Sequence, residues 1–350
     1  MRKINLRKYA LPVFSALAIV VLLVYTNTYK ESVRDAVLAC GNVLIPSLFP
    51  FFFFSSFIVY TDSLSPITRH MGIAGKILAI PKEGLTAVIL SVIGGFPVGA
   101  KTTAALYAEG KVNRQQAKKL TYCCVGAGPG FLVTFIGENL LGSKQAGLML
   151  LASDAVSVLV LLAVNRRGAY DNCKAKKVKT LSLGEAIVLS TEGAVRTTLS
   201  MCGFVMIFTV VNNLLTLMPY YNEYISNALE ITSGTINHSG SMPYEAIAFF
   251  VGFGGICVHF QIYGVVREIG INKLQFVLMR ILQGVISGAT LHILLKIFPV
   301  SKAVFGNLTA KIVPSISGTV WGAAAIIMLS VIFLISIGRN NKREVNLCAE

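Results

Sequence analysis

Apolar runs near twenty residues long recur along the whole chain, and that recurrence constrains the fold more than any motif does. A helix rises about 1.5 Å per residue, so about 20 apolar residues cross a hydrocarbon core about 30 Å thick. Runs at 10–26, 36–60, 121–141, 145–164, 198–218, 276–297 and 318–337 reach that length. Composition agrees: 54% of the 350 residues are hydrophobic and 13% are charged. Soluble domains carry about 25% charged residues. The chain reads as an all-α polytopic membrane protein with about seven full crossings and no room for a large soluble domain.

The formal charge of +15 does not point to nucleic acid. The basic residues gather in short loops: Arg2, Lys3, Arg7 and Lys8; Lys111, Arg114, Lys118 and Lys119; Arg166, Arg167, Lys174, Lys176, Lys177 and Lys179. Such loops stay cytoplasmic in membrane proteins. Lipid is therefore an expected partner and nucleic acid is not; a homo-oligomer is compatible with the sequence. Segment 1–30 has a basic start and an apolar centre but no small-residue cleavage site, the pattern of an uncleaved anchor helix. The seven cysteines form no C-x-x-C pair and the four histidines show no ligand spacing, so no metal or cofactor is expected. No Ser-His-Asp set or paired acids stand at readable spacing, and enzyme activity is not expected.

Two further apolar runs, 84–108 and 245–266, are interrupted at their centres by "GGFPVG" and "GFGG". Each interruption leaves arms of about ten residues, or about 15 Å, half the hydrocarbon core. The sequence predicts a re-entrant helical hairpin at each place. A re-entrant 84–108 keeps the basic loop 111–119 on the same side as the basic segment 165–182, as the charge rule prefers. "GGFPVGAKTT" looks like a phosphate-cradling loop, but Ala100 occupies its lysine position and the flanks are apolar. The transporter reading accounts for more. Gly95, Pro97 and Gly99 break the helix; the arm restarting after Pro97 offers free N–H groups and a positive dipole end. Lys101, Thr102 and Thr103 add a charge and hydroxyls, a set suited to an anionic group. A second break, at Gly126, Gly128, Pro129 and Gly130, unwinds the crossing 121–141.

The chain also repeats itself. "VRDAVLACGNVLI" from Val33 matches "VRTTLSMCGFVMI" from Val195, with Arg34/Arg196, Cys40/Cys202 and Gly41/Gly203 in register. At a similar offset Gly94–Gly95 matches Gly254–Gly255, which sets His259 and Gln261 in the places of Gly99 and Lys101. The expected architecture is an inverted repeat with two re-entrant hairpins and two broken transmembrane helices, a layout of secondary transporters. It divides into an anchor helix 1–30, a first repeat 31–165, a basic linker 166–184, a second repeat 185–338 and a polar tail 339–350. Asp154, deep in the run 145–164, is the candidate for coupling transport to an ion; Glu138, Arg280 and His292 are expected nearer the interfaces.

The stretch "GGFPVGAKTTAALYAEGKVNRQQAKKLTYCCVGAGPGFLVTFIGENLLGSKQAG" resembles the gate, or nucleoside-recognition, domain of bacterial membrane proteins. Its G-F-P-x-G-A-K hairpin, short basic loop and G-P-x-F break resemble the YlbJ (SpoVV) family of sporulation membrane proteins. That resemblance implies a layout similar to concentrative nucleoside transporters. It implies a location in the cell membrane or the outer forespore membrane of a spore-forming bacterium. It further implies carriage of dipicolinic acid, a small anionic pyridine dicarboxylate. The alternatives are a nucleoside or other metabolite carrier, and a non-transporting membrane scaffold for spore assembly. "GAGPGF" departs from the more polar stretch expected before the proline.

Overall fold

The computed structural model describes residues 6–165, 181–238 and 242–300. The expected crossing 318–337, the tail 339–350 and residues 166–180 of the basic linker lie outside the described residues. Among the described residues all regular structure is helical. Four helices are long and apolar enough to cross a membrane: Lys144–Val164, Leu183–Leu215, Tyr244–Val265 and Lys273–Ile297. A bent pair, Tyr29–Asn42 with Ile45–Thr61, makes a fifth when taken as one span.

The chain opens with α1 (Leu6–Val24) and α2 (Thr26–Ala39), followed by a π-helical turn at Cys40–Leu44 and α3 (Ile45–Thr61). Within α1 the apolar segment Ser15–Val24 is shorter than a full crossing. The 54° bend between α2 and α3 has a local cause. Pro46 lacks the N–H that would bond the carbonyl of Asn42, and the π-turn absorbs the mismatch. Two short helices, α4 (Ser65–His70) and α5 (Gly72–Leu78), lead to the first hairpin.

The hairpin expected at 84–108 is present. Helices α6 (Gly84–Gly94) and α7 (Phe96–Ala108) lie side by side, joined at Gly95. Gly95 has φ +84°, a backbone that a residue with a Cβ adopts only under strain. Pro97 stands in the first turn of α7, where its missing N–H costs nothing. The second break is also where the sequence places it. Helix α8 (Arg114–Cys123) ends, residues 124–128 leave regular structure, and a π-helix (Gly130–Leu140) resumes after Pro129. Helix α9 (Lys144–Val164) completes the first half, its N-terminus capped by Ser143. The basic loop is less free than its charge implies. Lys111 pairs with Glu109 at 3.0 Å, and buried Lys119 donates to the carbonyls of Leu78 and Ala79 at 2.7 and 3.1 Å.

The second half differs from expectation in one respect. Helix α10 (Leu183–Leu215) leads to a pair of short helices, α11 (Glu223–Leu229) and α12 (Ile231–His238), which pack together about Glu230. That hairpin precedes the run 245–266. The run itself is α13 (Tyr244–Phe253) and α14 (Gly255–Val265), interrupted at Gly254 but long and apolar enough as a unit to be one crossing. The hairpin expected there is therefore an interrupted span, and α15 (Lys273–Ile297) follows it. Glycine pairs serve both geometries: Gly95 reverses the chain, whereas Gly254 and Gly255, at φ +82° and +68°, only interrupt it. The offset matching Gly94–Gly95 to Gly254–Gly255 thus joins unlike elements. Close packing of α13 on α15 uses small residues: a Cβ at Gly252 would meet the Cα of Gly284 at 2.9 Å.

Candidate functional site

Each hairpin tip rests on a helix break. A Cβ built on Gly95 would stand 3.2 Å from the amide nitrogen of Gly128, so the tip of α6–α7 lies on the unwound segment 124–128. A Cβ on Gly255 would stand 3.3 Å from the carbonyl oxygen of Leu229 and 3.4 Å from the nitrogen of Ile231, so the break in α13–α14 lies at the tip of α11–α12. The two assemblies face one small cavity of about 40 Å³. Gly95, Phe96, Pro97 and Gly128 line it from the first half; Glu230, Thr232 and Gln261 line it from the second. The rest of its wall is apolar, including Leu48, Phe52 and Phe131.

A wider space of about 450 Å³, open at its mouth, adjoins this cavity and shares Pro97, Met201 and Gln261 with it. Lys101, Glu192, Arg196, Thr197 and Ser200 supply its polar surface. Lys101 extends from α7 across to α10, donating to Thr197 Oγ1 at 2.5 Å and to the carbonyl of Gly193 at 3.2 Å. Arg196 lies close enough for the two charges to act on each other. Lys101 is thus a vestibule residue, more than one turn from the hairpin tip. A smaller recess beside it is lined by Ser55, Tyr60, Lys101 and Thr102.

The unwound backbone at 124–128 leaves buried polar groups without helical partners, and buried side chains satisfy several of them. The N–H of Ala127 donates to Asp154 Oδ2 at 2.8 Å. The carbonyl of Val125 accepts from Arg280 Nη1 at 2.6 Å and from Gln283 Nε2 at 3.1 Å, and that of Tyr122 accepts from Arg280 Nη2 at 2.9 Å. Gln283 Nε2 also donates to Asp154 Oδ1 at 3.0 Å. Asp154 and Arg280 are 1% and 0% exposed, so α9 and α15 jointly hold the broken crossing in shape. Arg280, expected near an interface, is the most deeply enclosed charge of this network.

The sequence-predicted residues therefore separate. Gly95, Pro97, Gly128 and Gln261 line the central cavity, and Lys101 lines its vestibule. Gly99 is a packing position, because a Cβ there would lie 2.2 Å from the carbonyl oxygen of Cys124. Thr103 bonds back to the carbonyl of Gly99 at 2.8 Å. Pro129 precedes the π-helix Gly130–Leu140 as its cap. His259 Nε2 contacts the carbonyl of Phe253 at 2.9 Å, and its ring packs against Phe253 and Phe276, so it serves the break in α13–α14. Asp154 holds Ala127 and lines none of these cavities. Sequence reasoning missed Glu230 and Arg196. Glu230 sits in a stretch whose short helices carry no long apolar run, and Arg196 entered only as a repeat match.

No family model matches the chain, and no solved structure matches it. Among curated proteins it is similar to the "Sporulation integral membrane protein YlbJ" of Bacillus subtilis (strain 168), with 24% identity over 308 residues. The match covers 73% of this chain and 74% of that protein. The chain is an integral membrane protein, similar to YlbJ over about three quarters of its length.

Proposed function

We infer that the chain is a secondary transporter of a small organic anion, a pyridine dicarboxylate such as dipicolinic acid, working in sporulation. The observation that carries this reading is the adjacency of the two spaces, which share Pro97, Met201 and Gln261 as lining. A vestibule bearing Lys101, Arg196 and Glu192 lies against a cavity bounded by two hairpin tips and two helix breaks. Discontinuous helices meeting at a buried cavity are the substrate-site architecture of transporters. Two cations at its mouth suit a substrate with two carboxylates. The relationship to YlbJ supports the sporulation setting, in the cell membrane or the outer forespore membrane.

The order of elements supports an inverted repeat. It reads α3, hairpin α6–α7, a broken crossing and α9, then α10, hairpin α11–α12, a broken crossing and α15. Each half has three crossings, an odd number, so the second starts on the opposite side. With the basic segment 166–180 inside, α14 returns to the inner side, where Arg114 Nε donates to the carbonyl of Ile269 at 2.9 Å. The sequence repeat adds a second support. Cys40 and Cys202, matched in the repeat, are in side-chain contact. Ser32 bonds Asn213 on one side of them, and Ser56 approaches Gly193 on the other, so the two segments run antiparallel about that pair.

Replacing Lys101 by Ala tests the assignment. Uptake of labelled dipicolinate into liposomes holding the purified protein falls at least tenfold while insertion is unchanged; uptake equal to wild type removes Lys101 from the path. A nucleoside carrier is the second reading, favoured by the ring pair Phe96–Phe131 at 6.1 Å beside the amide of Gln261. Competition between nucleosides and pyridine dicarboxylates separates the two.

A further inference from the structure

Glu230 is the only carboxylate among the residues lining the central cavity, and it is 1% exposed. It stands at the tip of α11–α12, where Oε1 accepts from the N–H of Thr232 at 2.9 Å and Oε2 accepts from the N–H and hydroxyl of Ser233 at 2.5 and 2.7 Å. This is a helix cap, but the residues that cap helices best are Ser, Thr, Asp and Asn. Capping alone does not call for a glutamate beside a cavity.

No cation is paired with it among the described residues. The groups facing it from neighbouring elements are neutral. They are the thiols of Cys40 in the π-turn and Cys257 on α14, with Cys202 of α10 against Cys40. The tip of α6–α7 presents only Gly94 to Pro97, and the π-helix Gly130–Leu140 presents Phe131. Lys101, Arg196 and Glu192 lie in the vestibule, His259 is turned to the carbonyl of Phe253, and Glu245 of α13 is paired with His292 at 3.0 Å.

An anion that passes Lys101 and Arg196 thus meets a second negative charge in a largely apolar chamber. Like charges in one site do not both stay ionised. A hard metal cation takes about six oxygen ligands and would have to draw most of them from backbone carbonyls. Beyond Glu230 the chamber's polar side chains are Thr232 and Gln261. A proton needs one oxygen. The protonated carboxyl keeps an acceptor for Thr232 and gains an O–H that donates to the bound carboxylate.

We propose that Glu230 is the proton site of a proton-coupled anion carrier, taking up one proton with each anion and releasing it as the anion leaves. This rests on the anion reading above. The test is calorimetric binding of dipicolinate to the purified full-length protein across a range of pH, in buffers of different ionisation enthalpy. One proton is absorbed per anion bound, affinity falls about tenfold per pH unit on the alkaline side, and replacing sodium by choline changes nothing. Glu230→Gln binds the anion with no pH dependence, and an imposed pH gradient no longer drives its uptake. The buffer measurement needs no variant, so a misfolded Glu230→Gln leaves the proposal testable. Binding by wild type without proton uptake, or with a sodium requirement, overturns the proton site alone. A wild-type protein that binds no dipicolinate at any pH overturns the anion reading, and this proposal with it.

Discussion

Replacing Asp154 by Ala separates a scaffold from a coupling site. The change removes the acceptor of the Ala127 N–H and one of the two partners of Gln283 Nε2. A buried N–H left without a partner costs about 1–3 kcal/mol. Gln283 keeps the carbonyl of Val125, and Arg280 keeps two carbonyls but loses a neighbouring negative charge. Side-chain hydrogen bonds in membranes average about 0.6 kcal/mol, so two of them set a floor of about 1 kcal/mol. The loss therefore falls between about 1 and 4 kcal/mol. Asp154→Asn keeps an acceptor for Ala127 but turns an NH₂ toward the donor of Gln283, a smaller loss of about 1 kcal/mol. The readout is thermal unfolding in detergent, followed through Cys123 and Cys124. Both thiols are fully buried at the edge of the break and react with a thiol dye only once it opens. Anion binding by the folded fraction keeps its wild-type pH dependence in both variants. Asp154→Ala melting like wild type refutes the scaffold role. So does Asp154→Asn that melts normally yet loses its pH-dependent binding.

Other expectations follow from the same geometry. Gly99→Ala overpacks α7 against the carbonyl of Cys124 and lowers stability by about 1–3 kcal/mol in the same melting assay. Arg196→Ala weakens dipicolinate binding by about tenfold or more, because a charge-assisted contact contributes about 1.5–3 kcal/mol; a monocarboxylate loses less, and an equal loss for both argues against a two-cation vestibule. Mild oxidation links Cys40 to Cys202, seen as a joined peptide in mass mapping, whereas Cys123 and Cys124 stay free; no such link counts against the two repeats meeting at that pair. A reporter placed between Asn165 and Leu181 reports the cytoplasm, and one fused after Phe298 reports the opposite side; both on one side refutes the inverted order.

Hydropathy made the helices legible, and proline made the breaks legible. Pro97 and Pro129 each mark a place where the backbone leaves the helix within two residues. The second hairpin was hidden because α11 and α12 are seven and eight residues long and rich in Asn, Ser and Thr. Nothing in their apolar content announces a helical hairpin, so the glycines of 252–255 drew the assignment instead. Site residues divided on a similar line. Backbone-permissive residues such as Gly95 and Gly128 were found, because their chemistry is local. The roles of Asp154, Arg280 and Glu230 depend on partners in other helices, and Arg280 is 158 residues from the Tyr122 carbonyl it bonds.

That separation has a consequence for biosynthesis. The carbonyls of Tyr122 and Val125 leave the ribosome long before Arg280 exists to receive them. At about 5–20 residues per second the wait is roughly 8–30 s. During that interval the first half holds an unfinished crossing that lipid cannot complete. A chain truncated before α15 should therefore be cleared by quality control rather than accumulate, and an insertase that shelters polar backbone should cross-link to residues 122–127 of the stalled intermediate.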